Sequence, residues 1–230
     1  MRENEILRLI YPSVVTCGAD YKKLIAEVKK FKLKRMSLFL TTVGRRQRQE
    51  IYRLLEQTAL VEIPHVHIRH DFLEDELDYL VKRFKSKAFT THFHHAKRFL
   101  KSKYRRNIYI ETNDDNHRIR DVNYLQNFGG VCVDLSHYYQ YRYHNQREYI
   151  VSEEAIKKFK VGCNHLSAVK PDNTNRHRAD KLSELDYVKN IGRKCFSSYI
   201  NLEVTNSIKD QLRFRKYLAK ILAKTWNKKS

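Results

Sequence analysis

The sequence predicts an α/β protein, a single (β/α)8 barrel over residues 1–230. Short β-branched or aromatic runs alternate with segments of helical apolar spacing, and eight such runs occur. Neither GxGxxG nor GxxxxGK[ST] follows the first run, which argues against an open doubly wound sheet. With 230 residues and an apolar fraction of 41%, the chain fills one sizeable core at the short end of the barrel range.

The strand candidates, in order, are Arg8–Cys17, Arg35–Thr42, Ile63–Arg69, Ala88–His94, Asn107–Asn113, Gly130–Ser136, Lys160–Leu166 and Tyr199–Thr205. Between them, Asp20 is placed to cap a helix that carries Leu24, Ile25, Val28 and Phe31 on one face. Arg45–Thr58 carries Ile51, Leu54 and Leu55. Asp71–Phe84 has acids in its first turn and bases in its last, as the helix dipole prefers. Lys181–Ile191 repeats the pattern with Leu182, Leu185, Val188 and Ile191. A last helix opens at Asn206 or Ser207 and runs through Ile208, Leu212, Leu218, Ile221 and Leu222.

Composition narrows the class of protein. Six glycines and three prolines exclude a low-complexity chain. There is no basic start, long apolar stretch and cleavage site of a secretory signal, nor an apolar run long enough to span a bilayer. A soluble cytoplasmic protein without membrane partners is the expectation. Cys17, Cys132, Cys163 and Cys195 are far apart and form no CxxC pair, so neither a disulfide framework nor a structural zinc cluster is expected. The net charge of +20 and isoelectric point near 9.8 favour polyanions and phosphorylated metabolites as partners. The basic runs Lys22–Arg35, Arg45–Arg53, Lys97–Arg106 and Arg213–Lys229 also read as solvated helix faces.

In a βα barrel the functional groups gather at strand C-termini, and side chains alternate between the interior and the helix layer. With Ile108 and Ile110 facing the helices, Tyr109 and Glu111 face inward. The same parity turns Asp134 inward in Val131-Cys132-Val133-Asp134. The seventh candidate ends on Asn164-His165, and the eighth reads Ile200-Asn201-Leu202-Glu203. Four consecutive strands therefore end on carboxylate or imidazole groups, a donor set suited to Mn²⁺, Mg²⁺, Co²⁺ or Zn²⁺.

Ile-Tyr-Ile-Glu-Thr-Asn at 108–113, Gly-Val-Cys-Val-Asp-Leu-Ser-His at 130–137, Asn-His-Leu-Ser at 164–167 and Asn-Leu-Glu-Val-Thr at 201–205 resemble the xylose isomerase-like TIM barrel superfamily. That group contains sugar and sugar-phosphate isomerases and epimerases as well as apurinic endonuclease IV. The resemblance implies Glu111, Asp134, His165 and Glu203 as ligands of one divalent ion, with His137 of the Asp-x-x-His motif beside them. It implies first a sugar or sugar-phosphate isomerase or epimerase that works through a metal-stabilised enediolate. Glu111 and Glu203 would then double as the acid/base pair. The arginine that commonly follows the seventh-strand histidine in such epimerases is missing, and Lys170 is the nearby cation.

The alternative is an endonuclease IV-like phosphodiesterase acting on abasic DNA. Such an enzyme holds three metals and draws further histidines from the third and fourth strands. His65, His67 and His70, then His92, His94 and His95, stand there in this sequence. Asn175-Arg176-His177 resembles that enzyme's Asp-Arg-His, with an amide in place of a ligand carboxylate. A second alternative is a non-catalytic polyanion-binding barrel, in which Tyr138, Tyr139, Tyr141 and Tyr143, interleaved with Arg142 and Arg147, stack nucleobases or sugar rings. The sequence leaves the oligomeric state open.

Overall fold

A computed structural model describes residues 1–112 and 119–228, so Asn113 of the fifth strand candidate and Lys229 of the last basic run lie outside the described residues. In chain order the strands are β1 (Ile10–Tyr11), β2 (Ser13–Val15), β3 (Ser37–Phe39), β4 (His65–His67), β5 (Ala88–Thr91), β6 (Ile108–Glu111), β7 (Gly130–Asp134), β8 (Val161–Leu166), β9 (Ala168–Val169), β10 (Asn175–Arg176) and β11 (Ile200–Leu202). The helices are α1 (Glu3–Leu7), α2 (Tyr21–Lys30), α3 (Arg45–Glu56), α4 (Glu74–Phe84), α5 (Phe93–Ala96), α6 (Leu135–His144), α7 (Gln146–Lys158) and α8 (Ile208–Lys228).

Nine strands, rather than eight, form one parallel sheet in the order β1-β11-β8-β7-β6-β5-β4-β3-β2. The added strand comes from Pro12, which splits the first candidate, Arg8–Cys17. Proline lacks the N–H that a continuous ladder requires. The upstream half pairs Ile10 with Ile200 and Tyr11 with Asn201, while the downstream half pairs Ser13–Val15 with Ser37–Phe39. The two edge strands are thus separated by one residue, and the sheet nearly closes into a barrel. Gln211 of α8 seals this seam. Its Oε1 accepts from the Ser13 N–H at 2.7 Å and its Nε2 donates to the Ser13 carbonyl at 3.0 Å.

The helices follow from caps and apolar stripes. Asp20 accepts from the Lys23 N–H at 3.1 Å, and α2 buries Leu24, Ile25 and Val28. Acidic Glu74, Asp75 and Glu76 open α4, Lys82 and Arg83 close it, and Lys85 ends it in the left-handed conformation. Arg48 is fully buried between α3 and α4, where it donates to both Glu76 oxygens at 2.8 and 2.7 Å and stacks 4.1 Å from the Phe72 ring centroid. Two expectations are corrected, one of a helix and one of a strand. Lys181–Ile191 contains a 3₁₀ helix, Leu182–Asn190, rather than an α-helix. The fourth strand candidate ends at Thr91, and His92 caps the one-turn α5 instead of continuing the strand.

Ile108 and Ile110 pack in the large core shared with the helices, whereas Tyr109 joins Ala88, Cys132, Cys163 and Tyr199 in a small separate cluster. Gly162 belongs to that cluster's geometry, because a Cβ there would lie 1.9 Å from Cε1 of the Tyr109 ring. No helix among the described residues is long and apolar enough to cross a membrane. Gly162→Ala should destabilise the fold by about 1–3 kcal/mol or more in chemical denaturation, the usual cost of overpacking. Gly192→Ala, whose added methyl meets nothing closer than 3.8 Å, should be neutral or slightly stabilising.

Candidate metal centre

The C-terminal ends of the parallel strands surround a cavity of about 340 Å³. Val15, Phe39, His67, Glu111 and Asp134 enter it from the strand ends, and His92, His137, Asn175, His177 and Glu203 from the segments that follow. Parallel pairing sets their depth: Asp134 pairs with His165, and Asn201 pairs with His165 from the other side. Glu203 follows directly, its N–H donating to the Leu166 carbonyl at 2.9 Å. Candidate ligand atoms of Glu111, Asp134, His165 and Glu203 all lie within 4.8 Å of one another. The four residues expected to form the quartet therefore do converge.

Asp134 is also the N-cap of α6. Its Oδ1 accepts from the backbone N–H groups of Ser136 at 2.9 Å and His137 at 3.0 Å. The Asp-x-x-His spacing has this local cause: the capping aspartate ends the strand, and the first turn of α6 brings His137 to the cavity wall. The His137 Nε2 accepts from the Asn175 side-chain amide at 2.9 Å, and the His177 Nδ1 lies 3.2 Å from the Glu203 carbonyl oxygen. Asn175 is carried by the β9–β10 hairpin, which packs against α6.

Glu111 is the hub. Its Oε1 lies 3.3 Å from the His165 Nδ1, while its Oε2 lies 3.2 Å from the His92 Nε2 and 3.6 Å from the His67 Nε2. His165 Nδ1 is also 3.4 Å from Glu203 Oε2. Burial opposes charge on His165, but the Glu111 and Glu203 carboxylates outweigh it and push its pKa up to about 10. Burial likewise works against charge on Glu111, yet His165 and His92 hold its carboxyl well below the usual range. Glu203 moves the other way, raised by burial and by its carboxylate neighbours against the pull of His165 and His177. Burial holds His67 well below the ordinary imidazole value, so it stays neutral and ready to donate a lone pair. Glu203 raises His177.

The other expected residues fall into place around this centre. His65 lies beneath it, its Nε2 hydrogen-bonded to Thr90 Oγ1 at 2.7 Å, and lines no part of the cavity. Lys170 also lies off the cavity, held by Asp180 at 2.8 Å and Glu184 at 2.9 Å. His94 is exposed on α5 and, like His70 and His95, is not part of the cavity wall. Phe39 and Thr41 were not expected there, although the inward parity of Leu38-Phe39-Leu40-Thr41 would have signalled both. Comparison of the sequence with family models finds no match, and comparison with curated proteins finds none either.

The donor set fits a divalent cation: three carboxylates and an imidazole converge, and the buried Glu111 Oε2 and His67 Nε2 lack hydrogen-bond partners. Metal uptake at neutral pH must expel the His165 proton, so titration calorimetry in buffers of different ionisation enthalpy should report release of about one proton per ion. Affinity should rise with pH until His165 loses its proton near 10. A buffer-independent heat would show that binding displaces no proton from His165.

Proposed function

We propose that this protein is a divalent-metal-dependent phosphodiester hydrolase acting on nucleic acid, with a (β/α)8 barrel of the xylose isomerase-like type and an endonuclease IV-like site. The position of Glu111 carries this reading. One carboxylate oxygen faces His165 and the other faces His92 and His67, the disposition of a ligand shared by two ions. In a single-ion isomerase site His67 and His92 would serve instead as substrate contacts on the cavity wall. The net charge of +20 also suits a polyanionic substrate.

Divalent ions such as Zn²⁺, Mn²⁺, Co²⁺ or Mg²⁺, held by these groups, would supply Lewis-acid polarisation of the phosphoryl oxygens and an acidified water. The protein's own groups would do the rest. Glu203, raised above the ordinary carboxylate range, stands where it can take the proton of the attacking water. His137 and His177 also line the cavity, fixed by Asn175 and the Glu203 carbonyl, and can orient the phosphate. Exposed Arg46, Lys97, Arg98 and Arg176 stand on segments that follow the strand ends and suit a backbone of phosphates.

The isomerase reading keeps one specific support: the quartet Glu111, Asp134, His165 and Glu203 is complete, while Asn175 stands where the endonuclease has a carboxylate. In that case Glu111 and Glu203 would pass a proton between adjacent carbons of a sugar through an enediolate. A sugar phosphate is less favoured than a free sugar, since Lys170 is committed to Asp180 and Glu184. A purely binding barrel would have little reason to bring three acids together.

Incubation with an abasic-site duplex and Zn²⁺ or Mn²⁺ should produce incision. Glu203→Gln and Glu111→Gln should each reduce it by about 10³-fold or more while circular dichroism is unchanged. Absence of incision together with exchange of a ketose C–H proton in deuterated water would move the assignment to the isomerase.

A further inference from the structure

We infer that α5 carries a second, outer transition-metal site, formed by His92, His94 and His95, on the lip of the cavity. Ligand nitrogens of the three side chains lie within 4.8 Å of one another. The His94 and His95 ring centroids are 3.5 Å apart, and both rings lie about 6 Å from His92, at 5.7 and 6.1 Å. His70, arriving from the loop after β4, brings a fourth imidazole 4.7 Å from the His95 ring.

The local fold explains the convergence. His92 is the extended N-cap of α5, with φ −72° and ψ 153°, so it stands beside the two histidines of the first turn. Buried Ala96 and Phe99 pin the turn from below, while His94 projects to solvent. A zinc–nitrogen bond of about 2.0–2.1 Å places the nitrogens of a tetrahedral ion about 3.4 Å apart.

The chemistry of the donors selects the ion. Among the described residues the donors gathered here are imidazoles, which suit Zn²⁺, Cu²⁺ or Ni²⁺ better than Mg²⁺ and Ca²⁺, which demand oxygen. The inner quartet, rich in carboxylates, accepts both kinds. His92 faces both groups: its Nε2 lies 3.2 Å from Glu111 Oε2, which leaves Nδ1 as its donor to the outer ion. The outer site thus stands at the cavity entrance, where it captures a late transition metal beside the inner carboxylates. It does so whether the inner site hydrolyses phosphodiesters or isomerises a sugar.

Equilibrium dialysis of the full chain against Zn²⁺ separates the two sites. His94→Ala/His95→Ala should take up about one equivalent fewer than the unaltered chain while still loading the inner quartet. Glu111→Gln/Asp134→Asn/Glu203→Gln, which removes the carboxylates of every inner ion, should retain about one equivalent, and adding His94→Ala/His95→Ala to it should remove that ion. Cu²⁺ bound to the carboxylate variant should show nitrogen hyperfine structure in its electron paramagnetic resonance spectrum. Should the alanine pair misfold, His94→Gln/His95→Asn serves in its place. Equal Zn²⁺ uptake with and without His94 and His95, or a carboxylate variant that binds no Zn²⁺, would overturn the outer site.

Discussion

Like charges crowded together at the strand ends have to be answered by a cation or a proton, and this constraint governs the top of the barrel. Glu111, Asp134 and Glu203 present oxygens within 4.8 Å of one another. Each pair of unit charges at about 4 Å repels by about 4 kcal/mol at an effective dielectric constant of 20. Three pairs sum to about 12 kcal/mol, as large as the whole stability of an ordinary domain. Protonated His165 sets three attractions of similar size against them, and this is the physical content of its raised pKa. The burial of four charges is still uncompensated, and a divalent ion answers it better than an imidazolium does.

The scaffold supports this concentration of charge by fixing its members through other bonds. Asp134 is held by the α6 cap, His165 by edge contact with Phe39 at 4.9 Å, and Glu203 by its N–H to Leu166. A polar layer lies below, where His65 bonds Thr90 and Thr90 lies 3.1 Å from the Cys163 sulfur. The site is therefore placed by strands and a helix cap rather than by long loops, which keeps ligand positions rigid.

Much of this was legible in the sequence because two periodicities carry it. Period-two alternation identified Glu111 and Asp134 as inward residues, and the apolar stripes marked α2, α3, α4 and α8. Pro12 was read within one strand because each side of it is a short apolar stretch; only pairing to different neighbours reveals the split. His92, His94 and His95 were read together at a strand end. The backbone turns at His92, so one imidazole enters the cavity and the other two face outward. The division of the Glu111 oxygens between two sets of imidazoles depends on rotamers and on distances across the barrel, which no local pattern encodes. Lys170 looked like a substrate cation because Asp180 and Glu184 become its partners only through the 3₁₀ segment.

The seam at Pro12 also bears on how the molecule is made. Ile10 finds its partner in Ile200, 190 positions later, so the first strand leaves the ribosome long before its neighbour exists. During that interval the growing sheet has an open edge, and the pairing that closes it is among the most sequence-distant in the chain. Glu203 emerges with the closing strand. The charge of the candidate site is thus completed only when Glu203, synthesised after Glu111, Asp134 and His165, arrives with the strand that closes the sheet.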